Sequence, residues 1–114
     1  MTIDEAIRDL LDVSTDIRSV AIFDDQGNLV GYGPGAVSID AGAAVAGLWE
    51  AAARYAQALG DVALDHVVVP EDTGVVAIVA HGGRRIAAHT GLQPPVGLLL
   101  FDLRTCLNDA FPEE

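Results

Sequence analysis

The sequence predicts an α+β fold in the order α-β-β-α-β-β-β-α, and three observations carry that expectation. Apolar residues recur at helical spacing near both ends and in the middle of the chain. Five short strand-like runs are separated mostly by turns of the hairpin type. Two of those runs, VVV and VVAIVA, do not alternate, so both faces of their sheet are expected to lie under helices.

Thr2 and Glu5 stand at capping-box spacing, and Ile3, Ala6, Ile7, Leu10 and Leu11 recur at helical intervals, leaving Asp4, Arg8, Asp9 and Asp12 on the wet side. Arg18 to Asp24 reads as a strand, DQGN as a turn and Leu29 to Gly33 as the returning strand of a hairpin. Asp24, Asp25 and Asn28 do not make a calcium loop, because the spaced oxygen ligands and closing glutamate are missing. Gly31 to Gly35, with Pro34, break the chain. Asp40 then stands where an N-cap is wanted for a helix over residues 41–60, which Gly60 closes. Further strands are expected at Val62 to Val69, Gly74 to His81 and Arg85 to Thr90, joined by PEDT and GGR turns into an antiparallel meander. Pro94 and Pro95 open a last helix with an apolar stripe of Val96, Leu99, Leu100, Leu103, Leu107 and Ala110. Its wet side is Asp102, Thr105, Asn108 and Asp109.

At 114 residues the chain is expected to form one domain, residues 1–114, around one core. Apolar residues make up 51%, yet no uninterrupted run reaches about eighteen, which excludes a membrane-spanning helix. MTIDEAIRDLLDV lacks the basic start and cleavage site of a secretory signal, and the lone Cys106 cannot form an internal disulfide. Both point to the cytoplasm. Seventeen acidic residues against six basic ones, all arginine, give a formal charge of -11, which repels nucleic acid and anionic lipid. The arginine bias fits a GC-rich genome and a salt-adapted proteome equally.

The central helix, AGAAVAGLWEAAARYAQALG, has little polar surface. A helical wheel puts Val45, Leu48, Ala52, Tyr55 and Leu59 on one stripe, the side expected to lie on the sheet. Glu50, Arg54 and Gln57 lie opposite among Ala43, Ala46, Gly47 and Ala53, with Trp49 on the flank beside Gly42, Ala53 and Ala56. Small residues let another backbone come close, so a symmetric dimer through this face is expected, with Trp49 as anchor. The alternative is that alanine is simply a strong helix former and the face is wet.

Several stretches, with the order of elements, resemble the Roadblock family, the group of dynein light chains and bacterial gliding regulators. They are VAIFDDQGNLVGYG, the Ala-rich second helix, VVVPEDTGVVAIVAHGGRRIAAHTG and PPVGLLLFDLRTCLNDAF. The resemblance covers nearly the whole chain but rests on pattern and order, since none of these is a catalytic signature. It implies a profilin-like fold: a five-stranded antiparallel sheet in order 2-1-5-4-3, the second helix on one face and the first and last on the other. It also implies a homodimer in which the third strands, here Val62 to Val69 with Val67 and Val69, join into one sheet while the second helices pack side by side through Gly42, Ala46, Trp49, Ala53 and Ala56. The implied work is regulation of a small Ras-like GTPase, or an adaptor role, without a catalytic arginine. The GTPase would meet the paired second helices at Glu50, Arg54 and Gln57.

The remaining candidates for chemistry read as structural. His66, His81 and His89 fall on or beside adjacent strands but show no ligand spacing such as HxH, so no metal is expected. Cys106 lies beside an apolar stripe and lacks an activating base, which makes it a packed core thiol. Arg84 and Arg85 at the GGR turn raise the idea of an arginine finger, but a solvated turn explains them. Neither GxSxG nor GxxxxGK occurs, so no enzyme and no cofactor are expected. Two rival functions remain: a small-molecule sensor of PAS- or GAF-like shape, which needs an internal pocket, and a structural scaffold.

Overall fold

In the computed structural model, which describes residues 1–34, 41–60, 64–91 and 94–112, short-range chemistry sets most element boundaries. Thr2 caps α1 (Ile3–Val13): its hydroxyl accepts from Glu5 N at 3.1 Å, and Glu5 Oε1 accepts from Thr2 N at 2.9 Å. Between β1 (Ile17–Phe23) and β2 (Leu29–Gly33), Asp24 Oδ1 accepts from the backbone of Gln26 and Asn28 at 2.9 and 2.8 Å and closes the hairpin. α2 (Ala41–Gly60) ends on Gly60 at a φ of 138°, where a side chain would be strained; the Asp40 cap lies outside the described residues. Gly82 and Gly83, with φ of 61° and 81°, form the tight turn between β4 (Gly74–His81) and β5 (Arg84–Thr90). The chain finishes on α3 (Val96–Ala110).

One element moves. β3 is His66–Glu71, not Val62 to Val69, and residues 61–63 lie outside the described set. Pro70 and Glu71, expected in the turn, continue the ladder opposite Val75 and Gly74. Proline is tolerated there because β3 is an outer strand and one side of it has no ladder to serve.

The sheet runs β2-β1-β5-β4-β3, all antiparallel, as the sequence resemblance implies. Its two faces carry separate apolar layers. Val20, Ile22, Ala77, Val79, Ile86 and Ala88 pack under α1 and α3, with Ala6, Ile7, Leu10, Leu99, Leu103 and Leu107 above them. Ala21, Phe23, Ile78 and Ala87 face the other way, toward Val45, Leu48 and Trp49 of α2. That double covering is why VVAIVA does not alternate in polarity. Cys106 is buried in the first layer, as expected, while Val96 on the predicted stripe is 38% exposed.

Gly74 marks the tightest approach in the sheet. A Cβ there would overlap the carbonyl oxygen of Thr90 on β5, so only glycine fits. Thr90, fully buried, donates its hydroxyl to Gly91 O at 3.1 Å just beside this contact.

Candidate protein interaction surface

α2 is 20 residues long, about 30 Å at the helical rise. It starts over β1, where a Cβ on Gly42 would stand 3.4 Å from both the Phe23 ring and the Gly27 carbonyl. Trp49 packs against the layer of Ala21, Phe23, Ile78 and Ala87, with the Arg85 guanidinium of β5 5.4 Å from its ring centroid. Burial stops at Ala56, at 8%, and residues 57–60 are all exposed.

This geometry corrects the wheel. Tyr55 and Leu59, assigned to the sheet on bulk alone, are 67% and 66% exposed. They sit on one ridge at i and i+4 and leave its apolar surface exposed in the single chain. Ala56, assigned to a second copy, is instead covered by its own chain, and Gly42 and Trp49 each give a side to their own sheet. The seam turns because Val45, Leu48, Trp49, Ala52 and Ala56 also form a stripe at helical spacing, and Trp49 gains Arg85 beneath it. The signal a wheel of bulky residues misses is the small-residue side of the stripe, where Ala52 and Ala56 continue the line of Val45, Leu48 and Trp49.

Ala46 and Ala53 are half-buried on the flank of α2, and Glu50, Arg54 and Gln57 are exposed, as the sequence suggested. Gly47 also faces open space, with nothing within 4 Å of the position a Cβ would take. Val67 and Val69 are half-buried on the outer strand β3, on the α2 side of the sheet. The candidate surface thus comprises the exposed last turns of α2 and the outer strand β3.

The polar groups nearby are engaged within the chain. Asp65 Oδ1 lies 2.7 Å from His66 Nδ1, and Asp65 Oδ2 accepts from Arg104 Nη2 at 3.2 Å; His66 first, then Arg104, holds the Asp65 carboxyl below its usual range. His89 Nε2 meets Glu71 Oε1 on the α2 side. Arg84 lies over the Phe111 ring at 4.3 Å, so both arginines of the GGR turn rest on aromatic rings of their own chain. Burial pushes the Cys106 thiol up to about 12, far from a reactive thiolate. Among the described residues, no group of three or more His, Cys, Asp or Glu comes together in a way that could hold a metal. Nor is any described helix long and apolar enough to cross a membrane. Beneath α2, beside Val45 and His89, lies a hollow of about 130 Å³, well short of the ~300 Å³ of a usual small-molecule site.

Protein-family models give no match to the sequence, and neither do curated proteins. Solved structures do match. A Roadblock/LC7 domain from Streptomyces avermitilis has a TM-score of 0.79 at 16% identity, over 98% of this chain and 97% of that one. The gliding protein MglB from Thermus thermophilus has a TM-score of 0.75 at 18% identity, over 93% and 84%. LokiProfilin2, in its complex with rabbit actin, has a TM-score of 0.58 at 18% identity, over 96% of both chains. At such identities what is shared is the fold, and that fold is the profilin-like one of Roadblock/LC7 domains.

Proposed function

We propose that the protein is a non-enzymatic, cytoplasmic homodimer of one Roadblock-like domain, and that it regulates a small Ras-like GTPase or serves as an adaptor for one. The observation that carries this reading is the whole-chain fold likeness to the gliding protein MglB. The sequence resemblance to Roadblock regulators supplies the class of partner.

Self-association draws separate support from the exposed last turns of α2. A second copy packed along α2 would cover Tyr55 and Leu59, which otherwise stand in water. Ala46 and Ala53 then lie where two helices can approach closely, and Glu50, Arg54 and Gln57 face outward on the composite surface. Arg84 and Arg85 already rest on Phe111 and Trp49, so the role assigned to the protein is to position its partner's own groups, without a donated arginine.

The test is to mix the purified protein with each small GTPase encoded near its gene and to measure binding and nucleotide hydrolysis. A bound GTPase with an altered turnover is the expected result. Binding without any change in turnover would reduce the role to scaffolding, and no binding to any of them would overturn the reading. Ala46→Glu is expected to move the protein toward monomer in sedimentation, because it places a charge where the helices meet.

A further inference from the structure

The side of the molecule away from α2 carries a furrow of about 220 Å³ between α1 and α3. Its lining residues fall at i, i+3, i+4 and i+7 on each helix, within 6–13 of α1 and 102–109 of α3. The furrow therefore follows both helices for about two turns, roughly 10 Å. Ala6, Leu10 and Cys106 close the floor, each 3% exposed or less, and Val13, 68% exposed, carries the apolar wall out to solvent. The rim is acidic, with Asp9 on α1 and Asp102 and Asp109 on α3.

These carboxylates have no counterpart in their own chain. Asp24 is held by its hairpin backbone and Asp65 by His66 and Arg104, but among the described residues no hydrogen bond or ion pair engages the side chains of Asp9, Asp102 or Asp109. No arginine lines the furrow, and the Thr105 hydroxyl is turned to the Phe101 carbonyl of its own helix at 3.0 Å. The charge also bears on the floor: burial first, then Asp109 and Asp9, raise the Cys106 thiol. The three carboxylates do not come together as a metal site, so they call for cations spread along the furrow.

We propose that this furrow docks a basic amphipathic helix of a partner protein, with apolar side chains over the floor and arginine or lysine at Asp9, Asp102 and Asp109. The site uses neither α2 nor β3 and so goes beyond the regulatory reading above without depending on it.

The furrow selects a helix because its walls are two helices whose backbone groups already bond within themselves. A strand laid there would find no ladder for its own N–H and C=O, whereas a helix brings its bonds with it. Asp102 and Asp109 stand two turns apart on α3, so cations about seven residues apart on the incoming helix reach both. A second copy of this chain fits poorly. It brings seventeen acidic residues against six arginines, and Arg84, Arg85 and Arg104 are already engaged on Phe111, Trp49 and Asp65.

The probe is a fluorescein-labelled peptide of about eighteen residues, long enough to hold a helix, with a leucine stripe flanked by arginines. Its binding to the full-length protein is followed by fluorescence anisotropy and placed by amide chemical shifts. Binding that shifts α1 and α3 and weakens with salt is the expected result. Asp9→Asn with Asp109→Asn should weaken it by about five-fold, as two rim charge pairs would. Val13→Gln should weaken it by about three-fold through lost apolar contact, and this exposed position keeps the test open if the half-buried Asp109 proves structural. Asp25→Asn with Asp72→Asn makes the same charge change at exposed turn residues away from the furrow and should leave binding unchanged. Equal weakening by the two double variants would mean attraction to net charge alone and overturn the inference. Shifts centred on α2, or no binding of the arginine peptide, would also overturn it. Displacement of the peptide by an equal concentration of spermine would make the occupant a free polycation and overturn the helix.

Discussion

Replacing Trp49 with alanine separates the two roles the residue could serve. Trp49 packs on Ala21, Phe23, Ile78 and Ala87 of its own sheet, with Arg85 5.4 Å from its ring centroid. Removing a fully buried tryptophan costs about 3–5 kcal/mol. Trp49 is only half-buried, so about 2 kcal/mol of packing is at stake, and the guanidinium contact adds about 0.5–1 kcal/mol. Trp49→Ala should therefore lower the unfolding free energy of the single chain by about 3 kcal/mol. Trp49→Phe, which keeps an aromatic ring on the sheet, should lose less. The assay is urea unfolding followed by circular dichroism at widely separated protein concentrations. A loss present at the lowest concentration fits packing within one chain. A loss that appears only at high concentration would refute the sheet packing described above and return Trp49 to a role between copies. A double-mutant cycle with Arg85→Ala should give a coupling of about 0.5–1 kcal/mol.

Gly74→Ala should cost about 2–3 kcal/mol and lower Tm by about 10 °C or more, because the added methyl overlaps the Thr90 carbonyl; a Tm within about 2 °C of the parent would contradict the close approach of β4 and β5. Acid should destabilise the fold through Glu5, Asp24 and Asp65, whose carboxyls are held below their usual values by Thr2, by the Asn28 backbone and by His66 respectively. Depressed values of this kind contribute stability above the ordinary carboxylate range, and that stability is lost as pH falls through the lowered values. Asp24→Asn and Asp65→Asn should each flatten the acid side of a Tm-against-pH curve, and unchanged curves would rule these bonds out as contributors. Cys106 should react slowly with a thiol reagent at neutral pH until the protein is unfolded; prompt labelling of the native chain would contradict its burial.

The elements whose boundaries depend on neighbours in sequence were legible from the residues alone. Thr2 and Glu5, the DQGN turn, Gly60 and the paired glycines at 82 and 83 each act over a few residues, and each lies where the sequence put it. The unalternating VVAIVA announced two covered faces, and both are covered. What failed depended on distances across the fold. A wheel ranks faces by bulk, so Tyr55 and Leu59 were assigned to the sheet although both stand exposed while the smaller Ala56 is buried. Proline and glutamate after a run of valines read as a turn, and only the free outer position of β3 lets them stay in the strand. For the candidate surface, the exposed Glu50, Arg54 and Gln57 were legible from periodicity. The inward turn of Ala56 was not, because alanine carries almost no amphipathic signal.

The unequal anchoring of α2 sets how the chain should breathe. Among its described side chains only Ala56 is buried, whereas α3 sinks Leu99, Leu103, Cys106 and Leu107 to 3% or less. Few tertiary contacts mean a low free energy for local opening, so amide hydrogens in the last turns of α2 should exchange soonest among the helices when the chain is alone. Docking of anything over Tyr55 and Leu59 should slow that exchange. Residues 55–60 would then act as a built-in occupancy gauge, readable by mass spectrometry before any partner has been identified.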